Sequence, residues 1–155
     1  MLNSLKNDIK KYFAEAKMMQ LATVRDNKPW ICNVWFVSDK DLNIYWISST
    51  TRRHSEEIKD NEHVAAAMCM VSDPSDTSKS GIQLEGVAHE VTNPVEMAKA
   101  LKLYVARGIF TLDQVKKFMA DVTKPHRFYK ITPNRIVLFD PGKKESAQEY
   151  TISKE

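Results

Sequence analysis

Cysteine is scarce in this chain. Cys32 and Cys69 are the only two in 155 residues, and they lack Cys-x-x-Cys spacing, so neither a disulfide framework nor a thiolate metal site holds the fold. Both lie in apolar runs and are expected to be buried, reduced thiols. Nowhere do eighteen apolar residues follow one another, which excludes a membrane-spanning helix, and no apolar run of signal-peptide length opens the chain. A soluble, cytoplasmic protein is expected. Runs of five or more basic residues are also missing, and the net charge of +3 is spread through both halves. Neither nucleic acid nor membrane is therefore expected as a partner. There is no Gly-x-Ser-x-Gly, and neither cysteine can be paired with a histidine by position, so no hydrolytic nucleophile and base are visible. His54 and Glu57 would supply two metal ligands, but no third stands at a fitting spacing, and no metal is expected. His63, His89 and His126 are scattered.

What is present suits one ordinary globular domain, with 43% apolar and 28% charged residues and enough length to bury a core. Leu5, Ile9, Phe13 and Ala16 recur at helical spacing, predicting an amphipathic helix over Ser4–Lys17, capped at Asn3 or Ser4. Gln20–Arg25 and Trp30–Ser38 read as a hairpin about Asp26-Asn27-Lys28-Pro29, and a turn at Ser38–Asp41 leads into a third strand, Asn43–Ser48. These three strands are expected to form a meander. Arg53–Asn61 has a helical pattern with one large apolar residue, Ile58, and predicts a short surface helix. His63–Val71 reads as a central strand, Ser72–Ser80 as a loop, and Gly81–Thr92 as a strand with a bulge near Gly86. Pro94 opens a helix with the stripe Val95, Ala98, Leu101 and Val105, which Gly108 stops. Thr111 caps another with Leu112, Val115 and Phe118-Met119. Two strands, His126–Ile131 and Arg135–Asp140, are expected to flank Thr132-Pro133-Asn134, and Pro141–Glu155 to form a polar tail or an arm on a partner. Together these predict an α+β, mostly β fold: an antiparallel barrel of six to eight strands with an N-terminal helix and a helix pair between strands five and six.

The most informative stretch runs from Asn43 to Ile58. A β-branched and aromatic strand, Ile44-Tyr45-Trp46-Ile47, ends in Ser48-Ser49-Thr50-Thr51, followed by Arg52-Arg53-His54 at a helix start. Hydroxyls, backbone N–H groups and guanidinium forks converge there, which is what a phosphate requires. The stretch reads equally as a solvated turn with its arginines in water.

In order and spacing, four features resemble the pyridoxamine 5′-phosphate oxidase-like superfamily of FMN-binding split β-barrels, and its small bacterial members in particular. They are Leu21-Ala22-Thr23-Val24 with Asn27-Lys28-Pro29, the interval from Trp30 to Ser48, the turn Thr51-Arg52-Arg53-His54, and Gly81-Ile82-Gln83-Leu84-Glu85-Gly86-Val87-Ala88. The resemblance covers Gln20 to Asp140. It implies a flavin-binding split-barrel domain over 1–140 with a tail over 141–155, FMN as cofactor, and a homodimer with FMN between subunits. It further implies that Asn33, Val34 and Trp35 run beside the isoalloxazine ring, that Ile47 and Ser48 lie near ring and ribityl chain, that Arg53 and His54 hold the phosphate, and that Gln83 approaches the ring's polar edge. On the residues alone, Arg53 also reads as a surface charge, Ser48 as a turn cap and Trp35 as core.

The chain departs from the family's pattern in three places. Cys32 stands where the oxidase has an arginine, His54 where a lysine is common, and Arg127-Phe128-Tyr129-Lys130 only loosely replaces the C-terminal substrate motif. Pyridoxamine phosphate oxidation is therefore not expected. The expected function is FMN-dependent oxidation or reduction of a small molecule, with no catalytic residue named because the flavin carries the chemistry. A flavin-binding or sensing module without turnover, and a relative using a deazaflavin or haem, are the alternatives. Beside a phosphate dianion, His54 is expected to have a raised pKa.

Overall fold

The structure, a computed structural model, describes residues 2–70, 75 and 80–152. Helix α1 (Leu2–Glu15) is followed by strands β1 (Met18–Arg25), β2 (Lys28–Trp35), β3 (Val37–Ser38) and β4 (Ile44–Ser49), then α2 (Arg53–Asp60), β5 (His63–Cys69) and β6 (Gly81–Glu90). The helix pair α3 (Pro94–Ala106) and α4 (Leu112–Ala120) precedes β7 (His126–Phe139) and β8 (Ala147–Thr151). The expected α+β antiparallel split barrel, with its N-terminal helix and helix pair, is what forms. The loop expected over Ser72–Ser80 lies, apart from Ser75 and Ser80, outside the described residues. Among the described residues no helix is long and apolar enough to cross a membrane.

The strands form one antiparallel sheet in the order β2-β1-β5-β6-β7-β4-β3, with β8 on β7. The expected meander does not form. Phe36, fully buried and edge-on to Phe13 at 6.0 Å, interrupts the expected Trp30–Ser38 strand. Before it β2 pairs only with β1, and after it β3 pairs with β4 at the other end of the sheet. One buried residue thus carries the chain between the two ends of the sheet, and the sheet must curl until those ends approach.

The curled interior is filled by Met19, Leu21, Trp46, Ile82, Leu84, Ile131 and Ile136, with α1 plugging it through Leu5, Ile9, Phe13 and Ala16. Each fully buried side chain of this kind contributes roughly 1.5–3 kcal/mol of transfer free energy. Helix α1 begins before Asn3 and Ser4, so neither caps it. A second core, holding Tyr45, Phe128, Ala100, Tyr104 and Val115, joins β4 and β7 to the helix pair. The buried face of α3 is Ala100 and Tyr104, not the expected stripe, since Val95 and Val105 are exposed. Packing on β4 and β7 in the second core selects that face, which spacing alone did not reveal. Asn93 and Thr111 cap the two helices, the latter in a capping box with Gln114, and Gly108 at φ 72° stops α3.

Strand β7 is continuous where two strands were expected. Its first half pairs with β4 and its second with β8, so residues 147–151 of the expected tail form a strand. Pro133 is tolerated because it faces Gly86 at the register shift in β6, where the ladder is already irregular. A Cβ on Gly86 would lie 2.4 Å from the Thr132 carbonyl oxygen, so only glycine fits this crossing. Cys69 is exposed and Cys32 half-buried, contrary to the burial expected of both, because alternation in β5 and the edge position of β2 turn them outward.

Candidate functional site

The curled sheet leaves a seam. Among the described residues strand β2 has no partner on its outer edge, and beyond Tyr45 β4 has none on the side facing away from β7. Between these edges lies a groove of ≈ 460 Å³, lined by Trp30, Cys32, Asn33, Val34 and Trp35 of β2, Ile47–Ser49 of β4, Arg52–His54 at the start of α2, and Tyr104, Phe110, Phe118 and His126. That volume is within the range of small-molecule and cofactor sites.

One wall is polar and cationic. Helix α2 was expected on the surface, but His54, Ser55, Glu57 and Ile58 are buried. Glu57, 1% exposed, accepts from Thr23 Oγ1 at 2.6 Å and from Arg53 Nε at 2.7 Å. Burial alone would raise its pKa. The hydrogen bonds from Thr23 and Arg53 and the nearby arginine charges outweigh burial and hold the carboxyl below its ordinary value. The Arg53 guanidinium also lies over the Trp30 ring, 4.4 Å from its centroid. Stacked on one face and bonded at Nε, Arg53 has its terminal N–H groups left for the groove. No side chain caps α2 at Arg52, so the first-turn amides and two guanidinium groups face one region, an arrangement suited to an anion.

His54 sits beneath this wall, 7% exposed. Its Nε2 is 2.8 Å from Ser48 Oγ and its Nδ1 3.4 Å from Cys32 Sγ. The cysteine–histidine pair that position in the chain could not supply is formed by folding. Burial, helped by the charge of Arg52 and opposed by Glu57, lowers the His54 pKa. Burial, with Glu57, raises that of the Cys32 thiol. The pair is therefore neutral, and in the chain itself His54 shifts in the direction opposite to that expected beside a phosphate. A neutral thiol donating to Nδ1 leaves the Nε2 proton pointing at Ser48, whose own hydroxyl hydrogen is then free for the groove.

Tyr104 of α3 bridges the seam. Its hydroxyl donates to the Trp35 carbonyl at 2.7 Å and accepts from the Ile47 amide at 3.3 Å. Helix α3 is held for this task by a charged cluster in which Lys99 binds Asp39 and Lys130 binds Glu96, with the Tyr45 hydroxyl between the two carboxylates.

Seven of the eight expected site residues line this groove: Asn33, Val34, Trp35, Ile47, Ser48, Arg53 and His54. Gln83 does not. It stands on the outer face of β6, in register with Ala67 and, through it, with Gln20, which donates to Asn33, and it lines a separate hollow of ≈ 340 Å³. Sequence reasoning missed Trp30, Tyr104, Phe110, Phe118 and His126 as groove residues, and it placed Ser49 and Arg52 in the phosphate turn and Cys32 on the flavin-contacting strand without giving them a role. Arg52 and Ser49 were legible in the hydroxyl-and-arginine turn, whereas nothing local marks Tyr104, Phe110 or Phe118, which read as helix packing. Among the described residues no three His, Cys, Asp or Glu side chains cluster as a metal site.

A family model described as pyridoxamine 5′-phosphate oxidase matches residues 5–139. No curated protein matches the chain significantly. Among solved structures, General Stress Protein 26 from Bacillus anthracis aligns over 96% of this chain and 98% of its own at 19% identity, with a TM-score of 0.68. A heme storage protein from Vibrio cholerae aligns over 86% and 94% at 18% identity, with a TM-score of 0.68. A heme binding protein from Mycobacterium smegmatis aligns over 94% and 57% at 14% identity, with a TM-score of 0.75. At these identities the structures establish a shared fold.

Proposed function

The chain belongs to the pyridoxamine 5′-phosphate oxidase family, and on that premise we propose that it is a homodimeric FMN-dependent oxidoreductase of a small organic molecule, with the cofactor in the groove between β2 and β4. The observation that carries this reading is the convergence of Arg52, Arg53, the uncapped start of α2 and the Ser48 hydroxyl beside the free edge of β2. Arg53 would take the phosphate bidentately, with Glu57 and Trp30 fixing its plane. Ser48 would donate to the phosphate or ribityl chain, its hydrogen directed outward by His54 and Cys32. The free outer edge of β2 at Asn33 and Val34 would face the polar edge of the ring, with Trp35 beside it, and Ile47 would pack against it. FMN supplies the electron-transfer chemistry when bound; the chain binds, orients and shields it.

The dimer reading is supported by the surface around the groove. Ile31 is 61% exposed and Trp35 43%, and the adjoining outer face carries the small residues Ala65 and Ala67 with Gln20 and Gln83. A second copy covering that face would bring its Gln83 toward this chain's cofactor. Light scattering should then give twice 17.8 kDa.

Protein purified with its cofactor should be yellow, with flavin absorbance bands that NAD(P)H bleaches. Replacing Arg53 by alanine removes a charge-assisted bond of roughly 1.5–3 kcal/mol and should weaken FMN about tenfold or more. Absence of FMN binding refutes the reading, and binding without bleaching by any reductant leaves a flavin-binding module. Haem is the second reading. It is favoured by His126, whose Nδ1 bonds the Lys124 carbonyl at 2.9 Å and so leaves Nε2 as the unprotonated nitrogen on the groove wall. A Soret band in the isolated protein, lost in His126→Ala, would replace FMN by haem.

A further inference from the structure

The wall of the groove facing α2 has a different character. Of the lining residues only Arg52 and Arg53 carry a full charge, and both belong to the α2 side. The side built by α3, α4 and the start of β7 is aromatic. Tyr104 and Phe110 lie 6.3 Å apart with nearly parallel rings, Phe110 and Phe118 meet edge to face at 5.3 Å, and Phe118 lies 5.1 Å from the His126 ring. Phe118 is half-buried and belongs to neither core cluster among the described residues. Val115, one turn earlier, anchors α4 in the second core, and the Thr111–Gln114 capping box holds the helix start. A phenylalanine held this firmly without a place in the core presents its ring to whatever enters the groove. Beside it, His126 donates through Nδ1 to the Lys124 carbonyl, the tautomer whose Nε2 accepts a hydrogen bond. An aromatic wall with one imidazole nitrogen turned to the groove by the Nδ1 bond, and with both arginines on the opposite side, matches a flat, uncharged ring that carries a hydrogen-bond donor.

We propose that this wall is the substrate subsite, taking a planar aromatic compound with a ring hydroxyl or amine that packs in the corner between the perpendicular rings of Phe110 and Phe118 and donates its hydrogen to His126 Nε2. The proposal rests on the FMN reading, since it assigns the substrate class of that same groove. The ring of the substrate lies among Phe110, Phe118 and Trp35, and the donor selects it from aromatic hydrocarbons of equal size.

The test is a calorimetric titration of the FMN-loaded protein with 2-naphthol and with 2-methoxynaphthalene, which has the same ring system but no donor. The naphthol should bind at least tenfold more tightly. His126→Ala should bring it down to the level of the methoxy compound, His126→Gln should restore part of the difference because the amide oxygen accepts, and Phe118→Ala should weaken both ligands alike. Equal binding of the two ligands by the unsubstituted protein, or an unchanged preference in His126→Ala, overturns the proposal. Displacement of FMN by 2-naphthol also overturns it, because the wall would then belong to the flavin ring, while leaving FMN binding intact. A protein that takes up no FMN refutes the cofactor reading instead, and the same titration on that protein still decides whether the wall selects the donor. The flavin spectrum and thermal melt of each variant report cofactor retention and folding separately.

Discussion

Replacing Tyr104 by phenylalanine removes one oxygen atom from the place where the sheet fails to close. The hydroxyl donates to the Trp35 carbonyl and accepts from the Ile47 amide, and the Tyr104 side chain is fully buried. Burial pushes its pKa up, so it stays a neutral donor throughout the physiological range. Its loss leaves the Ile47 N–H without that partner, at a cost of about 1–3 kcal/mol, and adds about 1 kcal/mol for the bond to Trp35. The sum is roughly 2–4 kcal/mol, which for a chain of this length lowers the melting temperature by roughly 5–15 °C. Urea unfolding with an unchanged m-value, together with thermal melts, measures it. Tyr45→Phe serves as the control. Its hydroxyl joins a cluster in which Lys99, Lys130 and Asn43 already satisfy the same carboxylates, so it should cost only about 1 kcal/mol. FMN affinity should fall in Tyr104→Phe and not in Tyr45→Phe. A loss below about 1 kcal/mol in Tyr104→Phe, or equal losses in the two variants, would refute the idea that one hydroxyl holds the seam.

Gly86→Ala places a methyl group against the Thr132 carbonyl and Pro133 and should destabilise the chain by about 1–3 kcal/mol or more, read as a lower urea midpoint. Glu57 has a depressed pKa, so its contribution to stability is complete above the ordinary carboxylate range and fades as pH falls through the folded value. Glu57→Gln should be the less stable protein at pH 7, and the gap should narrow on acidification; a gap that stays constant from pH 7 to pH 3 contradicts this assignment. His54 also has a depressed pKa, so the stabilisation it gives is complete above about pH 6.5 and lost as pH falls through its folded value. Its ring enters the physiological range neutral. Calorimetric FMN affinity should therefore change less than about threefold between pH 6.5 and pH 8.5, and a tenfold weakening over that range would restore His54 as the charged phosphate partner.

Much of this molecule is written in local patterns. The four-residue spacing of Leu5, Ile9 and Phe13, the alternation through Ile82 and Leu84 about Gly86, and the capping Thr111 each follow from backbone geometry and the burial of one face, and each element formed where its pattern stood. The turn Thr51-Arg52-Arg53-His54 was likewise legible, because hydroxyls and guanidinium groups at a helix start concentrate donors whatever the surrounding fold. Which face of a helix is buried, and which strand lies beside which, depend on partners remote in the chain. Its β-branched and aromatic residues gave β2 its strand character but could not show that Phe36 would carry the chain to the opposite end of the sheet. The groove exists because that residue is buried and leaves two strand edges facing each other. The pairing of Cys32 with His54, the clamp of Glu57 and Trp30 on Arg53, and the reach of Tyr104 across the seam join residues 22, 4, 23 and 57–69 positions apart. Except for the i,i+4 ion pair, no periodicity encodes such distances. They are set when the sheet curls and the helices dock, since only then do burial and desolvation decide which polar groups must find one another.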